Sequence, residues 1–184
     1  MTIYPLGDKV PDIHPTAFVH PDAVVIGAVS ISEHASIWPT AVLRADFGRI
    51  SIGARTSIQD GTVLHTSEQW PTVIGADCVV GHNAHLEGAT IGAGSLIGSM
   101  STCLHAVVVG KSCLVGAGTL LTEGTHVPEG TRALGFPAKI FRPHRNRVEF
   151  ETAHHSGVAK YVENAARYSA ELGRKRDTDA VVVL

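Results

Sequence analysis

An aliphatic residue recurs every six positions through most of the chain, and that period excludes most folds. The repeated positions run Ile13, Val19, Val25, Ile31, Ile37, Leu43, then Ile52, Ile58, Leu64, then Ile74, Val80, Leu86, then Ile91, Ile97, Cys103, Val109, Val115, Leu121 and Val127. The residue two before is usually small, as at Ala23, Ala35, Thr56, Cys78 and Ala84, and glycine often follows, as at Gly53, Gly75 and Gly81. Six fits neither a 3.6-residue helix nor a hairpin meander. Alternate residues of a strand face one side, so the repeated residue and the one two before it both point inward. Three short strands joined by turns then close a triangular coil, and coils stack about 4.8 Å apart. The pattern predicts an all-β fold, a parallel β-helix of hexapeptides.

About six coils are expected over residues 11 to about 133. Residues 134–147 read as an exit loop. Residues from about 150 to 173 read as an amphipathic helix packed alongside the coil, with Val158, Tyr161, Val162, Ala165, Tyr168 and Leu172 on one stripe. The expected organisation is a β-helix domain with lead-in and exit loop over 1–147, a helix over 148–173 and a tail without periodicity over 174–184. A net charge of −2 and a pI of about 6.6 argue against nucleic acid and anionic membranes as partners. No signal peptide or membrane span is read. The three cysteines fall at inward positions and read as small core residues, which points to a reducing, cytoplasmic setting.

The step of six breaks in three places. Leu43 to Ile52 has three extra residues, Leu64 to Ile74 has four, and Leu86 to Ile91 has one fewer. All three breaks follow the same face, and extra residues in a solenoid become outward loops, where function tends to sit. The residues just after these positions are Arg44, His65 and Glu87, which form one outward column, with Asp46 just past Arg44. Asp60 and His82 stack at a corner of the preceding face, with Gln59 beside Asp60. His85 points outward before Leu86, and His105 lies at the edge of the same face. Imidazole and carboxylate are zinc donors. His65 and residue 87 sit on adjacent coils and reach one ion. Five extended residues, about 16 Å, separate His82 from residue 87, so His82 would come from a neighbouring subunit. A three-sided prism sharing sites in this way is a trimer. The rival arrangement is an intrachain site using His82 and His85. His14, His20, His34, His126, His144, His154 and His155 read as surface residues.

The segments Ser36-Ile37-Trp38-Pro39, Leu43-Arg44-Ala45-Asp46, Ser57-Ile58-Gln59-Asp60-Gly61 through His65, Val80-Gly81-His82-Asn83-Ala84 and Gly135-Phe136-Pro137-Ala138-Lys139 resemble the γ-class carbonic anhydrase family. The resemblance covers nearly the whole chain. It implies a left-handed coil and a homotrimer with Zn²⁺, or Fe²⁺, held across each interface. It implies His65 and His82 as ligands, Arg44 and Asp46 as an interface pair, and Gln59 and Asp60 as groups that orient the metal-bound water. The implied activity is reversible hydration of CO2 to bicarbonate by a metal-bound hydroxide, with Glu68 or His105 as the base that exports the proton. Tyr161 and Asn164 match helix residues that line the family's site.

Two departures stand out. The family's third histidine falls on Glu87, and a histidine appears instead at His85, so His85, Glu87 or both complete the ligand set, with His85 slightly favoured. Phe47 follows Asp46 where active members place acidic residues, which implies weak or cryptic activity. Two alternatives remain open: a hexapeptide acyltransferase or thioesterase, and a non-catalytic structural or carrier trimer.

Overall fold

A computed structural model describes residues 2–142 and 147–172. The hexads become short strands, and the chain winds as a left-handed parallel β-helix. One face carries seven parallel rungs: Phe18–Val19, Ser36–Ile37, Ser57–Ile58, Val79–Val80, Leu96–Ile97, Leu114–Val115 and Arg132–Leu134. The coil is therefore longer than the six turns expected. It gains at both ends, because Thr2–Tyr4 pairs with 24–26 as a strand rather than a lead-in, and Arg132–Leu134 adds a last rung. The second face holds 24–26, 42–44, Val63–His65, His85–Glu87, Thr102–Cys103 and Leu120–Leu121. The third holds Asp12–Ile13, 29–31, 50–52, Thr72–Ile74, Thr90–Ile91, Val108–Val109 and His126–Val127.

The repeated residues fill a narrow core in which Ile37, Leu43, Ile58, Leu64, Leu86 and Ile97 are fully buried. Backbone N–H groups of each coil donate to carbonyls of the next, as Ser57 to Cys78 at 2.9 Å and Gln59 to Val80 at 2.9 Å. A left-handed coil needs left-handed residues at its corners, and non-glycine residues supply several of them: His34, Arg55, Asp77, Asn83, Met100 and others have φ of 51–59°. Burial pushes the Cys78 thiol up to about 11 and the Cys103 thiol up to about 12, so both are inert core residues.

Stacking leaves no side-chain room where glycine meets the next coil. A Cβ on Gly53 would lie 2.4 Å from Ala76 N and 2.5 Å from Gly75 C, both backbone atoms. Gly53→Ala is therefore expected to destabilise the protein by about 1–3 kcal/mol. Chemical denaturation read by circular dichroism checks this, and an unchanged midpoint would mean that the coils separate more easily than their packing indicates.

After the last rung the chain does not leave as a plain loop. Lys139–Phe141 turns back antiparallel onto Arg132–Leu134, placing a hairpin where an exit loop was expected. The helix spans Arg147–Glu171, starting before residue 150, and it packs on the first face against Phe18–Val19, Ser36–Ile37 and Ser57–Ile58. Val158 and Ala165 are buried, and Tyr161 and Tyr168 close around Phe18 and Trp38. Leu172 lies past the helix and is exposed. Two histidines expected at the surface are buried: His154 reaches across to the Asp77 carbonyl at 2.7 Å, and the His20 ring accepts from the Asp22 amide at 3.1 Å. His144 and the tail 174–184 lie outside the described residues. No described helix is long and apolar enough to cross a membrane.

Candidate metal centre

Strand register builds the column. Arg44 pairs with His65, and His65 with Glu87, on the second face. Their neighbours Leu43, Leu64 and Leu86 are fully buried, so alternation turns these three outward. His65 is clasped from both sides: Nδ1 lies 3.0 Å from Glu87 Oε1 and Nε2 lies 2.9 Å from Asp46 Oδ1. Arg44 donates to the other oxygen of Asp46. Glu87 also receives His85 Nε2 at 3.4 Å and His105 Nε2 at 3.4 Å, so three imidazoles surround one carboxylate.

The first two insertions hold this arrangement in place. Thr66 Oγ1 donates to the Trp70 carbonyl at 2.8 Å, and the Trp70 amide donates to Ser67 Oγ at 3.1 Å. A Cβ on Gly48 would lie 2.5 Å from the Ser67 carbonyl oxygen, so the two loops pack directly on each other. Lys9 Nζ donates to the carbonyls of Asp46 and Phe47, and the Phe47 ring meets His65 edge-on with centroids 6.1 Å apart.

Partial burial opposes ionisation of both Asp46 and Glu87, yet both are held below the ordinary carboxylate range. Hydrogen bonds from His65 and Arg44 do this for Asp46, and the contacts with His65, His105 and His85 do it for Glu87. Their folded values lie below the ordinary 3.8 and 4.5. The stabilisation is thus complete above those values and is lost as pH falls through the lower native ones. In metal-free protein, the stability gap between the parent and a Glu87→Gln variant should narrow as pH drops from 6 to about 3, followed by thermal unfolding. A gap that stays constant would mean that Glu87 contributes no charge-dependent stability.

At the corner of the first face, His82 Nδ1 lies 3.0 Å from Asp60 Oδ2. The His82 side chain is 52% exposed, and its Nε2 has no hydrogen-bond partner among the described residues. A carboxylate that orients one ring nitrogen and leaves the other outward is the usual preparation of a histidine ligand. Gln59 is buried next door and donates from Nε2 to Ser57 Oγ at 2.6 Å.

One chain thus brings together Arg44, Asp46, His65, His85, Glu87 and His105, and holds Asp60 with His82 as a separate pair. Glu68 is exposed, and no ion pair among the described residues joins it to either group. Tyr161 lies on the helix against Trp38, and Asn164 accepts from Arg167 at 2.7 Å. Among the described residues, no three His, Cys, Asp or Glu side chains converge as a metal site within one chain. His82 Nε2 has no partner among the described residues, and His65, His85 and Glu87 carry donors of the kind zinc and iron take. Lys9 and Ser57 were not singled out from sequence. Ser57 had a signal, since residues two apart on a strand share a side and Gln59 was already a candidate.

The description "Bacterial transferase hexapeptide (six repeats)" matches residues 71–105. The chain is 37% identical over 180 residues to the mitochondrial γ-carbonic anhydrase 2 of Arabidopsis thaliana, covering 95% of this chain and 64% of that protein, so it spans less than two thirds of that relative. It is 36% identical over 142 residues to the carnitine operon protein CaiE of Escherichia coli K12, covering 77% and 72% of the two chains. Among solved structures, a hexapeptide transferase family protein from Anaplasma phagocytophilum superposes with a TM-score of 0.86 at 33% identity, covering 91% of this chain and 98% of that one.

Proposed function

We infer that this chain, which belongs to the γ-carbonic anhydrase-like family of hexapeptide-repeat proteins, works as a homotrimer that binds a zinc or ferrous ion between subunits and hydrates CO2 reversibly. The observation that carries this reading is the Asp60–His82 pair, which aims an unengaged imidazole nitrogen outward from a face that lacks the other donors. His65 and the strand His85–Glu87 supply the donors on the facing subunit. Register favours Glu87 over His85 as the third donor, because Glu87 is the direct neighbour of His65, whereas His85 pairs with Val63. When bound, such an ion supplies the acidity that makes a ligated water a nucleophile near neutral pH.

The remaining roles fall to the chain itself. Asp60 keeps His82 in one ring orientation, and Arg44 keeps Asp46 against His65. Gln59 offers a buried amide whose orientation is fixed. His105 touches Glu87 with its side chain 35% exposed, which suits a group that passes a proton to solvent. A second reading, acyl transfer with a histidine as base, is supported by the superposition on a hexapeptide transferase family protein. The experiment that separates the two is metal analysis of anaerobically purified protein together with a CO2 hydration assay. About one zinc or iron per subunit with measurable hydration is the expected result. Protein without metal and without hydration would favour acyl transfer or a structural role.

A further inference from the structure

We propose that the C-terminal helix sets the orientation of the Gln59 side chain through the Trp38 indole. The inference rests on the reading of Gln59 as a group of the metal centre. Four side chains form a closed polar knot between helix and coil, with Ser36, Ser57, Gln59 and Trp38 exposed by 2%, 1%, 3% and 5%. Trp38 Nε1 donates to Ser57 Oγ at 2.8 Å and to Ser36 Oγ at 3.1 Å. Gln59 Nε2 donates to the same Ser57 oxygen at 2.6 Å, and the Ser36 hydroxyl donates to it at 3.1 Å.

The indole N–H can only donate, so Trp38 engages the serines through their oxygens. The indole, the Ser36 hydroxyl and the Gln59 amide all converge on Ser57 Oγ, which ties the amide to the indole through one shared oxygen. The NH2 end of Gln59 is thereby held at Ser57, and its carbonyl end faces the opposite way. Without the indole, Ser57 Oγ loses its tie to the helix, and the Gln59 amide that rests on it is free to reorient. The indole is in turn fixed by the helix. Its ring centroid lies 5.2 Å from Tyr168 and 6.4 Å from Tyr161, with Phe18 completing the cage at 5.5 Å. Helix docking and the amide orientation beside Asp60 are therefore linked by direct contacts. Trp38 and Tyr168 act as positioning residues.

The chain has two glutamines, Gln59 and Gln69, so selective ¹⁵N-glutamine labelling of the full-length protein gives two side-chain amide pairs, and the exposed Gln69 serves as an internal control. Trp38→Phe keeps an aromatic ring in the cage but removes the donor. It is expected to shift the Gln59 pair and speed its solvent exchange by about tenfold, the worth of roughly one net hydrogen bond, with Gln69 unmoved. Tyr168→Ala leaves all four knot residues in place, and it should move the Trp38 indole and Gln59 signals together; it also decides the matter if Trp38→Phe does not fold. A Gln59 pair unchanged in folded Trp38→Phe, or unchanged in Tyr168→Ala, overturns the proposal. In CO2 hydration, Trp38→Phe should lower kcat with KM and metal content unchanged. The resonance shifts need no activity, so failure of the functional reading leaves the positioning claim separately testable.

Discussion

His82→Ala protein should assemble and fold normally but lose its metal, with affinity falling by more than the 10–100-fold that loss of an outer partner costs. The side chain is half exposed and contributes no core contact, so thermal stability of the metal-free protein should stay within about 0.5 kcal/mol of the parent. His65→Ala should lose the metal equally, although His65 stands in a different cluster. Mixing the two variants gives the sharper result. In an intersubunit site, each interface takes His65 from one chain and His82 from its neighbour, so co-refolded trimers should recover metal at about a quarter of their sites. A site built within one chain recovers none. Metal titration of the mixture against each variant alone decides between the arrangements.

Glu87→His is expected to raise CO2 hydration at neutral pH by about tenfold, equivalent to roughly 1.4 kcal/mol of electrostatic gain. An anionic donor lowers the effective charge of the ion and so weakens the acidity on which the reaction depends. The substitution also removes the carboxylate that His65, His85 and His105 share. The gain should therefore come with a loss of stability in the metal-free protein. The assay is stopped-flow hydration at matched metal occupancy. Equal rates for parent and variant would show that Glu87 does not act as a donor during turnover, and would turn attention to His85.

The coil was legible because each hexad states the same thing twice, through an inward aliphatic residue and an inward small one, over many repeats. The column Arg44, His65, Glu87 followed from that frame, since a residue beside an inward position must point outward. Contacts between distant segments left no such trace. His154 is buried by a bond to a carbonyl 77 positions away, and no local periodicity announces that. The antiparallel return of Lys139–Phe141 was hidden for the same reason, because a single pairing has no repeat to support it. The candidates for a third donor were ambiguous because His85 and Glu87 flank Leu86 and share one side of their strand. Alternation alone cannot choose between them; the register with His65 favours Glu87.

The corner that follows Arg44, His65 and Glu87 gives the molecule something like a reading frame. Elsewhere on the coil, Phe18 stacks on Ser36 and Val79 on Ser57, and gaining or losing one residue would turn every downstream inward position outward. At this one corner, the chain has gained three residues, gained four and dropped one on successive turns, and the rungs beyond it still stack in register. Changes of length are absorbed there before they can propagate. The edge that bears the His65–Glu87 cluster is thus also the edge where the chain can be lengthened or shortened without rewriting the rest of the molecule.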